Sequence, residues 1–285
     1  MRFAFIQDHE KDFDVTAMCQ TFEVSRSGYY AWKRRPVSQT RQRAESLTSE
    51  IEEIHLKNKQ VYGSPRVHQE LVDRGHECCV NTVAKLMRNA GIRAKTKKKF
   101  KVTTDSRHDR PVAENLLGQQ FDTATKPNEI WLSDITYVWT ESGWMYLAVV
   151  LDLFTRKVVG WSLDNSMTSQ LVVDAMQQAI DRQRPEGNVI CHSDRGSQYA
   201  SEQYQQLLKR NGFVCSMSRK GNCWDNAPME AFFATLKKEL IHHEKYASQV
   251  SARRSLFEYI EAFYNTTRKH SALGYKSPAQ FEQVT

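Results

Sequence analysis

Paired cysteines, long apolar runs and repeats are all missing from this 285-residue sequence. The six cysteines, Cys19, Cys78, Cys79, Cys191, Cys215 and Cys223, form no CxxC pair of the kind used for zinc or thiol redox chemistry. His68, His76, Cys78 and Cys79 fall close together, but adjacent cysteines do not easily supply two corners of one tetrahedron, so ordinary thiols are expected there. No apolar run approaches the ~18 residues of a membrane span, and the N-terminal MRFAFIQDHEKDFD acquires acids too early for a signal peptide. A cytoplasmic, reduced protein is expected. No internal repeat, low-complexity segment or sustained heptad pattern appears.

What is present argues for globular units. Hydrophobic residues make up 40% of the chain, charged residues 26% and aromatics 11%, enough apolar material for real cores. The length exceeds the ~100 to 200 residues of one domain, so two or three units are expected. A surplus of 40 Lys plus Arg over 33 Asp plus Glu gives +7, which favours polyanionic partners but fits many other proteins. Placement says more than the total: RAKTKKKFK, from Arg93 to Lys101, carries six cations and no anion. Alone, such a run reads equally well as a solvated tether.

The N-terminal part reads as helices. A short helix from Thr16 to Phe22, a break, and a second helix through Trp32 capped by Ser25 make one helix-turn-helix pattern. Lys33 to Ser38, with Pro36, reads as a linker. A long amphipathic helix carrying Leu47, Ile51 and Ile54 should end before Tyr62. Ser64 is expected to cap the next helix, with Pro65 at its first position and Val67 and Leu71 as its stripe. Asn81 is expected to cap a further helix with Val83, Leu86 and Met87, ended by Gly91. This pair forms a second helix-turn-helix pattern, though such pairs also occur in proteins that never touch DNA.

After a polar connector from about Thr103 to Asn128 the texture changes to strands: Ile130 to Val138, Trp144 to Leu151 and Lys157 to Leu163. A helix from Thr168 to about Gln183 follows, then a buried strand from Asn188 to His192. A helix from Ser201 to about Arg210, a strand from Phe213 to Met217 and a long helical region from Pro228 complete the order βββαβαβα. That order belongs to the ribonuclease-H-like architecture: an α/β core with a mixed five-stranded sheet, here preceded by all-α helix-turn-helix modules.

Three carboxylates stand out in that order. Asp134 lies in mid-strand, Asp194 directly follows the fourth strand, and Glu230 lies in the first turns of a late helix. A lone charge on a largely buried strand is costly unless it is hydrogen-bonded to a neighbour or paired with a cation. Carboxylates are natural ligands for Mg²⁺ or Mn²⁺, and two such ions can serve the attacking and leaving oxygens of a phosphodiester. Asp194, before Arg195 and Gly196, also reads as ordinary turn chemistry, and Glu230 as a complement to its helix dipole. Lys237, two turns beyond Glu230 on one face, could reach a phosphate. Asp152 and Asp225 are expected to be structural, Asp152 capping a turn and Asp225 shaping the start of the Glu230 helix; Asn226 or Asp225 can cap it, and His192 is expected to be structural too.

At these residues the chain resembles the retroviral-integrase-type DDE transposases of bacterial insertion sequences, of the OrfB kind in insertion-sequence family three. The blocks that carry the resemblance are YGSPRV and NTVAKLM, WLSDITYV, GWMYLAVVLDLFTRKVVGWS, HSDRGSQY, SRKGNCWDNAPMEAFFATLKKE and YNTTRKHSALGYKSP. Between Asp194 and Glu230 lie 230 − 194 − 1 = 35 residues, the number characteristic of that family. Ser133, Trp224 and Ala231 stand where Thr, Tyr and Ser are common, and none of these removes a ligand.

The resemblance implies Asp134, Asp194 and Glu230 as catalytic metal ligands for two Mg²⁺ or Mn²⁺ ions, with Lys237 contacting DNA. It implies strand cleavage that frees a 3′-hydroxyl, attack of that hydroxyl on a second phosphodiester, and a circular intermediate. Double-stranded DNA, as element ends and target, is the expected partner, gripped by Arg66, Lys85, Arg93, Lys95, Lys97, Lys98, Lys99 and Lys101 as well. A homo-oligomer on DNA, the upstream reading-frame product or its fusion as a further partner, with that portion expected to be absent from this chain, and a nucleoid-associated location in a bacterium are further expectations. The expected units are residues 1–40, a helix-turn-helix; 41–105, a second helical DNA-binding module with a basic tail; 106–124, a linker; and 125–285, the catalytic domain with a helical extension. The rival readings are a non-catalytic DNA-binding regulator of element ends and a structure-selective nuclease that cuts without joining.

Overall fold

A computed structural model describes residues 1–95, 112–219 and 222–284. Three short helices open it: α1 (Arg2–Asp8), α2 (Val15–Thr21) and α3 (Arg26–Arg34). Ser25 caps α3 by accepting from the Gly28 N–H, as its position in the sequence suggested. The first helix was not expected: at seven residues with no side-chain cap it has little stability of its own. Tertiary packing supplies it, since Ile6 joins Met18, Cys19 and Tyr29 in a small separate core.

The second helical module comprises α4 (Gln39–Lys57), α5 (Ser64–Asp73) and α6 (Val80–Asn89). Two caps differ from expectation. Gly63, not Ser64, is the N-cap of α5, and Cys79, not Asn81, that of α6; neither supplies a side-chain cap bond. These helices are fixed by their apolar stripes, which override the cap signal. Gly75 and Gly91, at φ +85° and +71°, end α5 and α6 in the left-handed region, and the next residue's N–H in each case reaches back to Leu71 or Met87. His68 turns Nε2 to the carbonyl of Cys78.

The sheet follows as β1 (Ile130–Thr140), β2 (Gly143–Asp152) and β3 (Val158–Asp164), then α7 (Ser169–Gln183), β4 (Ile190–Ser193), α8 (Glu202–Arg210) and β5 (Val214–Met217). The strand order is β3-β2-β1-β4-β5, antiparallel across β1, β2 and β3 and parallel from β1 through β4 to β5. This is the expected ribonuclease-H-like sheet. One face buries Trp131, Ala148 and Val150 beneath α7 and α8; the other buries Leu132, Leu147 and Val149 beneath the C-terminal helices. At Gly160 a Cβ would stand 2.2 Å from the carbonyl oxygen of Ala175, so only glycine lets α7 lie this close to β3.

The long C-terminal helical region is interrupted rather than continuous. Helix α9 (Ala227–Leu236) runs into a π-helical turn, Lys237–Ile241; α10 (Gln249–Phe257) runs into a second, Glu258–Tyr264; and α11 (Pro278–Glu282) closes the chain. Leu47, Ile51, Ile54, Tyr62, Val67, Leu71, Val83 and Met87 of the second module share one continuous apolar core with the sheet and α9. Among the described residues no helix is long and apolar enough to cross a membrane.

Candidate active site

The ladder between β1 and β4 sets the position of the two aspartates. Its last paired step is Ser133 with Ser193, so Asp134, still within β1, and Asp194, the first residue after β4, stand at the same level on neighbouring parallel strands. Adjacent strands lie about 4.8 Å apart, which brings the two carboxylates side by side. Both residues are half-buried. Partial exposure does not spare Asp134 the effects of its surroundings. Its carboxyl is held well above the usual carboxylate range, first by desolvation, next by the Asp194 charge and more weakly by Glu230. The Ile135 N–H, 2.7 Å from Oδ1, and the Lys237 ammonium pull the other way.

Asp194 keeps its turn role as well: its Oδ1 accepts from the Gly196 N–H at 2.8 Å. The turn reading and the site reading are therefore compatible, because one carboxylate oxygen braces the loop.

Glu230 occupies the first turn of α9, where the helix dipole favours an anion, and it is exposed. Its own carboxyl is raised by desolvation. Asn226 holds that helix start to the sheet, its Nδ2 donating to the Ser133 carbonyl at 3.4 Å, one residue before Asp134. Neither Asn226 nor Asp225 caps α9 through its side chain. Asp225 is fully buried and turned away: it accepts from the Arg219 guanidinium and N–H, from Gln119 and from Asn115, and the Arg219 bonds hold its carboxyl well below the usual range. Those bonds fix the segment leading into α9.

Lys237 sits two turns beyond Glu230, half-buried, with its ammonium lowered by desolvation and supported by the Asp134 charge. The structure thus brings Asp134, Asp194 and Lys237 together, with Glu230 at the margin. Asp152 caps its turn: Oδ1 accepts from the Thr155 N–H and hydroxyl, Oδ2 from the Asn128 N–H. His192 lies buried between the Ser216 and Ser218 hydroxyls, and burial pushes its imidazole down to about 4, so it is neutral near pH 7.

Oxygen ligands, partial exposure and a mutual repulsion that positive charge would relieve fit a hard divalent cation at Asp134 and Asp194. Among the described residues, no three His, Cys, Asp or Glu side chains stand close enough to hold one ion together. Glu230 does not join the pair in such a group.

The basic residues scatter. Lys85 and Arg93 are exposed on or just beyond α6, and the Lys95 backbone N–H donates to Gln60. Arg66 is half-buried and directs Nε to the Lys269 carbonyl at 2.9 Å. Lys97, Lys98, Lys99 and Lys101 lie outside the described residues. Sequence reasoning missed Asn226 as a tie to β1. Only its place in the block around Glu230 could have drawn attention to it.

Comparison with known proteins gives the site its context. Residues 124–223 and 211–278 match models of an integrase core domain, and residues 42–100 match an HTH-like domain. The chain is 45% identical over 284 residues to the transposase InsF for insertion sequence IS3A of Escherichia coli, covering 99% of this chain and 98% of that one. It is 44% identical to an uncharacterized 31 kDa protein of insertion element IS600 from Shigella sonnei, covering 93% and 97%. Among solved structures it resembles a simian T-cell lymphotropic virus intasome at 15% identity, with a TM-score of 0.47 over 81% of this chain and 73% of that one. The HTLV-2 integrase catalytic core domain in complex with magnesium matches at 19% identity, with a TM-score of 0.42 over 56% and 99%.

Proposed function

The chain belongs to the insertion-sequence transposases of the IS3 kind, and from that premise we propose that Asp134, Asp194 and Glu230 are the ligands of its catalytic cations. It is a transposase acting on DNA, an enzyme of the polynucleotidyl transferase type. The observation that carries the assignment is the pair of carboxylates at one level of adjacent parallel strands, Asp134 within β1 and Asp194 just after β4, with Lys237 acting on Asp134.

Mg²⁺ or Mn²⁺ bound there, in our reading as two ions, would supply charge neutralisation for the oxygens of a phosphodiester under attack. The protein's part is placement. β1 and β4 fix Asp134 and Asp194, and Asn226 holds the start of α9, which carries Glu230 in its first turn, against β1. Lys237 is placed to meet a phosphate and to offset the charge of the acids. First a water and then a freed 3′-hydroxyl would be aligned on the scissile phosphodiester, with no covalent enzyme intermediate.

The helical units 1–40 and 41–105 are assigned to grip element ends, 106–124 to link, and 125–285 to carry the chemistry. Two ends must meet, so a homo-oligomer on DNA belongs to the proposal, as do a contribution from an upstream reading frame and a place at the nucleoid. Lys85, Arg93 and Lys95, with the four lysines from Lys97 to Lys101, are assigned to phosphates. Replacing Lys95, Lys97, Lys98 and Lys99 by glutamine should flatten the dependence of DNA affinity on salt, by about 0.9 in log–log slope for each phosphate no longer neutralised. An unchanged slope in a filter-binding titration would remove these residues from the interface.

The direct test is cleavage and joining of a labelled duplex carrying the element's own end, with Mg²⁺ or Mn²⁺, for wild type and Glu230→Gln. Joining by the wild type alone, with equal DNA binding by both, supports the assignment. Equal joining by both proteins sinks Glu230, and binding without chemistry from either favours a regulator.

A further inference from the structure

Residues 112–120 lie between the HTH-like and integrase-core segments, and sequence alone gives them the part of a linker. They form no helix or strand, yet they are fastened to the sheet at β5. The Met217 N–H donates to the Glu114 carbonyl at 3.3 Å, and the Leu116 N–H to Ser216 Oγ at 3.0 Å. Leu117 is buried in the same apolar core as α9.

Two side chains of this connector reach the segment that leads into α9. Asn115 Nδ2 donates to Asp225 Oδ2 at 2.8 Å, and Gln119 Nε2 to Asp225 Oδ1 at 2.9 Å. The local backbone is shaped to present them. Asn115 Oδ1 accepts from the Leu117 and Gly118 N–H groups, both at 3.0 Å, and Gly118 and Gln119 stand in the left-handed region at φ +52° and +70°. That conformation suits glycine but strains glutamine, and strained residues cluster where function requires them.

Asp225 is buried and directly precedes Asn226, whose amide ties this segment to the Ser133 carbonyl of β1. Connector, Asp225, Asn226 and β1 thus form one bonded unit, and Glu230 is carried on it in the first turn of α9. Arg219, from the loop after β5, makes the remaining bonds to Asp225, so that carboxylate stays paired when the connector's bonds are removed.

We propose that Asn115 and Gln119 are positioning residues for Glu230: by holding Asp225 they set where the first turn of α9 stands relative to β1, which makes the connector part of the frame of the site. This rests on the assignment of Glu230 as a metal ligand. A passive linker needs neither two amides directed at a buried carboxylate nor a glutamine in left-handed backbone.

Two variants of the full chain break these bonds while keeping the turn. Gln119→Gly removes the amide where glycine is at ease. Asn115→Asp keeps an oxygen for the Leu117 and Gly118 N–H groups but sets a carboxylate against Asp225. Mn²⁺ binding is read by electron paramagnetic resonance of the free ion, affinity for the element's end by filter binding, and the melting midpoint in EDTA. Each variant should raise the Mn²⁺ Kd roughly tenfold, the low end of the cost of losing an outer partner of a metal site, with wild-type DNA affinity. In a Glu230→Gln chain, whose Kd is already raised, the same substitutions should add nothing, because they act through Glu230. Gln119→Gly should melt near wild type, and it decides the matter if Asn115→Asp does not fold. A wild-type Mn²⁺ Kd in Gln119→Gly, or the same further rise in the Glu230→Gln chain, overturns the proposal and leaves the ligand assignment in place. A Glu230→Gln chain that binds Mn²⁺ as tightly as wild type overturns both.

Discussion

Replacing Asp134 by asparagine is expected to abolish joining and, in metal-free buffer, to raise the melting midpoint. The first effect follows from losing a charged ligand. A bound cation supplies several kcal/mol of charge stabilisation in the transition state, so losing its hold costs on the order of 10³-fold in rate. The second follows from the environment of the carboxyl. Its folded-state value is raised by burial and by Asp194, whereas in the unfolded chain it is ordinary. An acid raised in the folded state costs stability at pH values above that raised value, and the cost is relieved as pH falls through it.

The wild type without metal should therefore gain stability as pH falls through that raised value, against the general trend of acid destabilisation. The asparagine variant, which has no charge to relieve, should lack that gain and melt higher at pH 7, by about 2–4 °C per kcal/mol relieved. Differential scanning calorimetry in EDTA at two pH values, beside the joining assay, measures both. A lower midpoint for the variant at pH 7 would mean that the aspartates are not squeezed together, and joining at the wild-type rate would remove Asp134 from the chemistry.

Arg268→Ala should destabilise the whole chain. Arg268 is buried and makes two bonds to Glu239, at 2.7 and 2.8 Å, while the Tyr259 hydroxyl donates to the same carboxylate at 2.7 Å. Removing one partner of a buried pair leaves the other charge uncompensated, at about 3–5 kcal/mol, which is on the order of 10 °C in this size range. The loss spreads because the next residue ties the second helical module to this point. The Lys269 N–H donates to the Tyr62 hydroxyl at 2.8 Å, its carbonyl accepts from Arg66, and its ammonium pairs with Asp73. Arg268→Met combined with Glu239→Gln removes both charges together and should recover much of the loss. Thermal melts of the single and double variants decide the matter, and equal midpoints for Arg268→Ala and wild type would refute the ion pair as a structural tie.

The catalytic sheet was largely legible in the sequence because strand alternation is local. Trp131, Leu132, Val149 and Val150 mark a strand pair buried on both faces before any partner is known, and every strand of the expected order is present. The helix ends were less legible. Ser64 and Asn81 carry the chemistry of caps, but packing of Val67, Leu71, Val83 and Met87 set where α5 and α6 begin. Helix α1 was invisible because its stability belongs to the packing of Ile6 against α2 and α3.

By itself the sequence determined the kind of chain this is: the element order, the three candidate carboxylates and their spacing, the basic residue beside them, and the structural parts of Asp152 and His192. These depend on periodicity and on residue chemistry, which a linear string records. Only the tertiary structure decided that Asp134 and Asp194 stand at one level of neighbouring strands while Glu230 stays at the margin, and that Asn226 ties α9 to β1. It alone joined Arg66 and Tyr62 to a segment some 200 positions away. Charge coupling, burial and ion pairing depend on distances between segments remote in the chain, and those distances exist only once the sheet has brought its strands together.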